Sequence, residues 1–247
     1  MEYNIDEIGL KTGINPDKIN KEIQVMDALH NLTILLGNSM QKFGLYGGTA
    51  MNKIYFGEKQ RLSYDLDIEA YTYMKTKQIF TNVSSVTSSF SKADRFTYKN
   101  VQIDLTKATG FEMPKLYTAT SLISFFNYPI AEVVVQSYSL EYLLARKTLA
   151  LLSRVVDKDI YDTWMGLNMV KDIEKYRRYI KKFMRSIASS FLELLSLFGM
   201  VMIMLSFFMR AEIEVPLLSN TSTLKVIPFI TIDLSIMSLS GILLFFL

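Results

Sequence analysis

Two short motifs constrain this chain more than any other feature of its sequence. The first is Gly-Gly-Thr-Ala at residues 47–50, and the second is an apolar segment with two aspartates at residues 65–68. Glycine lets the backbone approach a phosphate group closely, and the N–H groups at the start of a following helix point at the anion. The sequence therefore predicts that Gly47, Gly48 and Thr49 form a loop that binds a nucleoside triphosphate.

The spacing of the two aspartates predicts a metal site beside that loop. Side chains of a strand alternate between its faces, so Asp65 and Asp67 share one face while the leucine between them points into a core. Their separation of about 6–7 Å suits one or two Mg²⁺ ions, which lie about 3.5–4 Å apart when paired. Each motif alone also occurs in ordinary turns and solvated strand edges. Together they indicate metal-assisted nucleotidyl transfer.

A third carboxylate follows in a segment that alternates apolar and polar residues, 101–106. This alternation is typical of a half-buried strand, here with Asp104 on the polar face. If the strand pairs beside the one that carries Asp65 and Asp67, three carboxylates converge on one metal site. The alternative is that Asp104 faces solvent, because the pairing of strands is not visible in the sequence.

A lysine lies on the apolar face of a predicted helix over residues 141–154. Lys147 has leucine or alanine three and four residues away on both sides. It either packs along the edge of the core or reaches a phosphate site as a point charge. Asp159 and Asp162 share one face of the next helical segment, where one of them either orients Lys147 or accepts a proton from an attacking hydroxyl.

The order of these motifs resembles the AbiEii/AbiGii toxin family of nucleotidyltransferases, over about residues 1–180. The resemblance rests on five ordered segments: Thr-Gly-Ile-Asn-Pro at 12–16, the glycine motif with Lys53, Arg-x-Ser-x-Asp-x-Asp at 61–67, Ile-Asp-Leu at 103–105, and the helix of Lys147 followed by Lys-Asp-x-Tyr-Asp at 158–162. It implies an α+β class with a polymerase-β-like nucleotidyltransferase fold, a mixed sheet flanked by helices, and a helical C-terminal part.

The resemblance also implies an activity, its partners and its site residues. It implies transfer of a nucleotide from an NTP to an acceptor hydroxyl, in relatives the end of transfer RNA, with Mg²⁺ or Mn²⁺ and a neighbouring antitoxin protein. The implied catalytic residues are Asp65, Asp67, Lys147, Asp159 and Asp162, and the implied nucleotide-binding residues are Gly47, Gly48, Thr49 and Ser63. Arg61 and Lys53 match basic positions of the family, and each is either a phosphate ligand or a surface or core-edge charge. Lys158 departs from the family, which usually has arginine there.

Composition excludes several other classes of site. Among the 247 residues there is no cysteine, which rules out disulfides, zinc-thiolate sites and cysteine nucleophiles. The single histidine, His30, lies in a helical pattern and is expected to pack or face solvent, which argues against a serine–histidine hydrolase. The net charge of +3 neither requires nor excludes a nucleic-acid partner.

The chain divides into three predicted regions. Residues 1–138 form the nucleotidyltransferase core, 139–185 complete the active site with helices, and 186–247 form a very apolar tail. Within the core, residues 84–91 are expected as helix or loop, and residues 133–135 as a late buried strand. A basic, aromatic-rich run over 171–185 either binds RNA, flanks a membrane segment, or forms a solvated helix face.

The apolar tail leaves three interpretations open. Residues 187–209 and 228–247 are each long enough to cross a bilayer as a hairpin, with the catalytic part facing the cytoplasm. Alternatively these segments are buried helices, or a shifted reading frame replaced the usual charged sequence. The alternative to an active nucleotidyltransferase is an inactive, membrane-attached relative that binds a nucleotide or a partner without turnover.

Overall fold

A seven-stranded mixed sheet forms the centre of the protein. The computed structural model describes residues 4–38, 42–83, 85–88, 94–154 and 156–190. The strands are β1 (Phe43–Tyr46), β2 (Asp65–Ala70), β3 (Ser85–Ser88), β4 (Asp94–Tyr98), β5 (Val101–Lys107), β6 (Lys115–Ala119) and β7 (Val133–Ser137). They lie in the order β3-β4-β5-β2-β1-β7-β6, with parallel pairing of β2 with β5 and of β1 with β7. The expected α+β class with a mixed sheet is confirmed.

Helices precede, interrupt and follow the sheet. They are α1 (Ile5–Thr12), α2 (Pro16–Asn38), α3 (Gly47–Ala50), α4 (Tyr73–Val83), α5 (Leu140–Ser153), α6 (Asp157–Met169) and α7 over residues 173–190. Helix α3 continues directly into a π-helical turn, Met51–Phe56, and a short 3₁₀ turn, Gly57–Lys59. Proline at the first position of α2 suits a helix start, because its missing N–H has no partner there anyway.

The core explains why the aspartates of the central strands face outward. Leu66 and Ile68 of β2, and Ile103 and Leu105 of β5, are almost completely buried. Because strand side chains alternate, the polar residues between them share the opposite face. In the parallel register, Asp67 lies directly beside Asp104. The strand of Asp104 therefore pairs beside the strand of Asp65 and Asp67, which was the condition for the three carboxylates to converge.

One local expectation is wrong, and another is confirmed in part. Residues 85–88 form an edge strand, β3, rather than a helix or loop, because they pair with β4 across an irregular antiparallel register. The rest of the 84–91 stretch lies outside the described residues. The strand expected at 133–135 is present as part of β7, where Val133 and Val135 are buried, but Val134 is 60% exposed, because the strand has one face on the core and one toward solvent.

The basic run on α7 has its aromatic side chains turned inward. Tyr179 and Phe183 are buried, and both rings pack on Tyr142 of α5 at centroid distances of 5.4 Å. These two rings are therefore not available to stack on RNA bases, which removes that part of the RNA-binding alternative. Arg177, Arg178, Lys181, Lys182 and Arg185 are exposed. A solvated basic face fits α7.

All the described residues belong to one compact unit, Met1–Glu193. None of the helices within the described ranges is long and apolar enough to cross a membrane. The candidate span 228–247, and the span 187–209 beyond residue 190, lie outside those ranges. The boundaries predicted at residues 138 and 185 stay predictions.

Candidate active site

A sharp turn joins β1 to α3 and brings the backbone against a carboxylate. Gly47 has φ +73°, a conformation that side chains with a Cβ rarely adopt. A Cβ added to Gly47 would lie 2.0 Å from Oδ2 of Asp67. The π-helical turn that follows is a geometry often found at functional sites. Glycine is thus required here for both the turn and the close approach of Asp67.

Asp65 and Asp67 line a cavity of about 520 Å³ together with Gly47, Gly48 and Asp104. The aspartates of β2 share a face, and Asp104 reaches the cavity from the neighbouring strand. Burial, together with the negative charges of Asp65 and Asp104, raises the pKa of Asp67 to about 7. Negative charge therefore accumulates at one wall of this cavity.

Asp104 differs from the other two carboxylates because it already has a cation partner. Arg95 of β4 donates from Nε and from one terminal nitrogen to the two oxygens of Asp104, at 2.8 and 2.9 Å. Among the residues that the structure describes, no three His, Cys, Asp or Glu side chains are arranged to hold a metal ion. Asp65 and Asp67 fit a divalent cation as oxygen donors. The predicted ligand Asp104 is turned toward Arg95 instead.

A buried ion cluster also borders the cavity, which Lys147 lines. Lys147 Nζ lies 2.7 Å from Asp159 Oδ1 and 2.9 Å from Asp162 Oδ2. Burial opposes ionisation of Asp159, but the hydrogen bond and charge of Lys147, with the charge of Arg154, hold its pKa below the usual range. Both aspartates are fully buried. Of the two roles predicted for this pair, the geometry matches orientation of Lys147.

Arg61 joins the same cluster from the segment before β2. Its guanidinium donates to both oxygens of Asp162, at 2.9 and 2.6 Å. Asn52, on the π-helical turn, donates to the Gly48 carbonyl and to Asp162, and its side-chain oxygen accepts from the Arg61 backbone N–H. These bonds fix the glycine turn, Arg61 and α6 relative to one another. Sequence reasoning did not find Asn52.

Thr49 and Ser63, two predicted nucleotide ligands, do not line this cavity. Their hydroxyl oxygens lie 2.7 Å apart, and Thr49 also donates to the Asp65 carbonyl. Ser63 donates weakly to the Asp65 carboxylate at 3.3 Å. Both residues are buried. They hold the start of β2 against the glycine turn.

Lys53, another predicted nucleotide ligand, lies in the core instead. It is buried, its Nζ lies 2.5 Å from Glu22 Oε1, and it does not line the cavity. Glu22 also accepts from the Ser121 hydroxyl at 2.9 Å. A lysine enclosed by this pair is held in the core, so the core-edge alternative describes Lys53 and the phosphate-ligand prediction is corrected.

Arg146 is a cavity residue that sequence reasoning missed. It precedes Lys147 on α5, forms an ion pair with Glu69, and lies 4.0 Å from the centroid of the Tyr46 ring. Burial lowers its pKa, although Tyr46 and Asp67 oppose that shift. A basic dipeptide on an otherwise apolar helix was the available signal. Arg154 and Arg95, which also line the cavity, were likewise not predicted.

Comparisons with known proteins agree with this arrangement. No curated protein matches the chain by sequence. Among solved structures, the nucleotidyltransferase toxin MenT4 from Mycobacterium tuberculosis H37Rv aligns with a TM-score of 0.59 and 15% identity, over 72% of this chain and 69% of that chain. Two structures of the antibiotic-resistance factor ANT(2″)-Ia align with TM-scores of 0.48 and 0.49 and identities of 13% and 12%, over 66% of this chain and 93% and 98% of theirs.

The likeness to MenT4 shows that the fold is that of a nucleotidyltransferase. The family model that matches is described as nucleotidyl transferase AbiEii toxin, type IV TA system, and it matches residues 33–196. That range includes the glycine turn, the aspartates of β2 and β5, and the Lys147 cluster. The chain therefore belongs to the AbiEii nucleotidyltransferase toxin family of type IV toxin–antitoxin systems.

Proposed function

We propose that this chain transfers a nucleotidyl group from an NTP to the hydroxyl of an RNA acceptor, with the end of transfer RNA as its target and Mg²⁺, or Mn²⁺, as its cofactor. One observation carries the proposal. A single cavity is lined by the backbone of the glycine turn, by the carboxylates of Asp65 and Asp67, and by the buried cation Lys147. These are the parts that a triphosphate and its metal require.

The proposal assigns a separate role to each group of residues at the cavity. The backbone of Gly47 and Gly48 would receive the triphosphate, Asp65 and Asp67 would hold the metal, and Asp104 would add a third carboxylate if its ion pair with Arg95 opened. The metal supplies charge neutralisation at the reacting phosphate. Lys147 stabilises the negative charge that develops on the leaving pyrophosphate. Asp159 and Asp162 act as positioning residues, because they hold Lys147 and Arg61 in place.

Bond changes follow from this arrangement. The acceptor hydroxyl oxygen forms a bond to the α-phosphorus of the NTP while the bond from that phosphorus to the bridging oxygen breaks, and pyrophosphate leaves. The hydroxyl proton passes to solvent water. Catalysis then rests mainly on positioning and on charge neutralisation rather than on covalent chemistry with the enzyme.

The decisive experiment is transfer of labelled nucleotide to total transfer RNA. The purified protein is incubated with Mg²⁺ and each of the four labelled NTPs in turn, and label on RNA is measured. We expect label with at least one NTP, and a loss of about 10²–10³-fold or more in Asp65→Asn and Asp67→Asn. Lys115→Gln, an exposed charge change on the edge strand β6, serves as the matched control.

The result also separates this proposal from an inactive relative that only binds. Full activity of Asp67→Asn, with a thermal unfolding curve like that of the wild type, would contradict the assignment. Nucleotide binding without any labelled product would favour the binding-only relative. Membership of a type IV system further leads us to propose a cognate antitoxin protein, which co-expression from the adjacent gene would test through growth rescue.

A further inference from the structure

A second cavity of about 560 Å³ adjoins the proposed nucleotide site. Four residues line both cavities: Arg61, Asp65, Gln102 and Lys158. Asp65 thus borders both spaces. In an in-line displacement the attacking oxygen and the leaving oxygen lie on opposite sides of the phosphorus. If the triphosphate occupies the side of the glycine turn, the acceptor must arrive from the side of the second cavity.

The charge of the second cavity restricts what it binds. Its cationic residues are Lys21 of α2, Arg61 and Lys158, and its carboxylate is Asp65. Lys158 Nζ lies 3.9 Å from Asp65 Oδ2, beyond hydrogen-bond distance, so its ammonium group is not committed to that carboxylate. Lys21 is exposed. An excess of positive charge favours an acceptor that carries phosphates and disfavours a polycationic one.

An aromatic ring gives the cavity a second recognition element. Tyr64 lines it, is partly exposed, and has Lys21 Nζ at 5.6 Å from its ring centroid. Asn100, at the tip of the β4–β5 hairpin, and Gln102 add amide groups that donate and accept hydrogen bonds. A ring, nearby cations and amides form the combination that binds splayed single-stranded nucleotides.

We propose that this second cavity is the acceptor subsite and that it binds the single-stranded 3′ end of an RNA. In this subsite a base stacks on Tyr64, and the backbone phosphates lie near Lys21 and Lys158. The terminal hydroxyl then points past Asp65 toward the nucleotide cavity. The inference rests on the proposed function, because an acceptor subsite has meaning only beside a nucleotide donor.

The first test is direct binding of a short, 5′-labelled single-stranded RNA, measured by fluorescence anisotropy with no NTP present. We expect Tyr64→Ala to raise the Kd about fivefold or more, while Tyr64→Phe, which keeps the ring, binds like the wild type. Lys21→Gln should also weaken binding and reduce the slope of log Kd against log salt by about 0.7, the value for one lost phosphate contact.

A matched control and a folding check accompany these variants. Lys75→Gln removes an exposed lysine of α4 that lines neither cavity, and it should bind RNA like the wild type. The rise in unfolding temperature caused by NTP with Mg²⁺ should stay unchanged in all four variants. If Tyr64→Ala does not fold, Lys21→Gln carries the test, because Lys21 is exposed.

Transfer kinetics separate failure of this subsite from failure of the proposed function. We expect Lys21→Gln and Tyr64→Ala to raise the KM for RNA and to leave the KM for NTP unchanged. Normal RNA kinetics in both variants would overturn the acceptor subsite alone. Labelling of a protein hydroxyl instead of RNA, or absence of any nucleotide transfer by the wild type, would instead count against the proposed function.

Discussion

Two pairs of aspartates, alike in chemistry, stand in opposite electrostatic situations. Asp159 and Asp162 of α6 are fully buried, and cationic side chains contact both of them. Asp65 and Asp67 of β2 face a cavity, where the nearest cation to Asp65 is 3.9 Å away. The helix pair already has its counter-charges, whereas the strand pair accumulates negative charge.

The pKa shifts express the same difference. Counter-charges hold the pKa of Asp159 below its usual range despite burial, whereas burial and neighbouring carboxylates raise the pKa of Asp67 to about 7. A carboxylate with its partners in place stabilises a fold, and a carboxylate without them is prepared for an external cation. The comparison therefore separates a structural set, Asp159 and Asp162, from the set that we propose to bind the metal, Asp65 and Asp67.

The largest expected effect is on the structural set. Asp162→Ala leaves Arg61 and Lys147 beside each other without their shared carboxylate, and it should lower the free energy of unfolding by about 3–5 kcal/mol. Thermal unfolding should show a fall in Tm on the order of 10 °C. Asp65→Ala, the control from the other set, should change Tm by less than about 2 °C. An equal fall in Tm in both variants would contradict the division between the two pairs of aspartates.

A smaller, pH-dependent effect is expected for Asp67→Asn without metal. The folded pKa near 7 lies above the unfolded value near 4, so the native carboxyl keeps a proton that the unfolded chain loses between these pH values. Wild-type stability therefore falls as the pH rises through this window, and asparagine removes that fall. Asp67→Asn should gain on the order of 1 kcal/mol over the wild type at pH 8 and almost nothing at pH 4.

Urea unfolding of both proteins at pH 4, 6 and 8 measures this difference. Asp27→Asn, on an exposed position of α2, controls for a general effect of removing a carboxylate. A constant offset between the wild type and Asp67→Asn across the three pH values would show that the cavity does not perturb Asp67.

The smallest expected effect concerns Asp104, which lines the cavity like Asp65 and Asp67 but has an ion-pair partner, Arg95. This pair is partly exposed, so Arg95→Gln should cost less than about 1 kcal/mol. The change frees Asp104 to bind Mg²⁺ together with Asp65 and Asp67. The midpoint of the Mg²⁺ titration, at which half of the rise in Tm has occurred, should therefore lie at a lower Mg²⁺ concentration than in the wild type. Arg177→Gln removes an exposed helical ion pair and should leave this midpoint unchanged.

If Arg95→Gln shifts the Mg²⁺ midpoint upward or not at all, Asp104 does not contribute to the metal site. The assignment of Asp104 would then return to the alternative of a strand residue paired with its neighbour. The effect is measured without NTP, so it reports on the carboxylates and not on phosphate contacts of Arg95.

Parts of the site were open to prediction because their signals are local. Alternation placed Asp65 and Asp67 on one face, and helical spacing placed Lys147 on an apolar face. The order of motifs led to the correct family. The partner of Asp104 was less accessible: it follows from the register of the β4–β5 hairpin, whose turn at Lys99 and Asn100 lacks the usual Asn-Gly signal.

The amino-acid sequence by itself determined the strands and helices that carry the site, the presence of a glycine turn and the alternation that exposes its aspartates. These properties depend on residues a few positions apart, through backbone conformation and side-chain periodicity. Only the tertiary structure decided which charges are already paired. Arg61 meets Asp162 across 101 positions and Lys53 meets Glu22 across 31. Ion pairing depends on distance in space, so packing enclosed Lys53 in the core and left Asp65 and Asp67 to face the cavity.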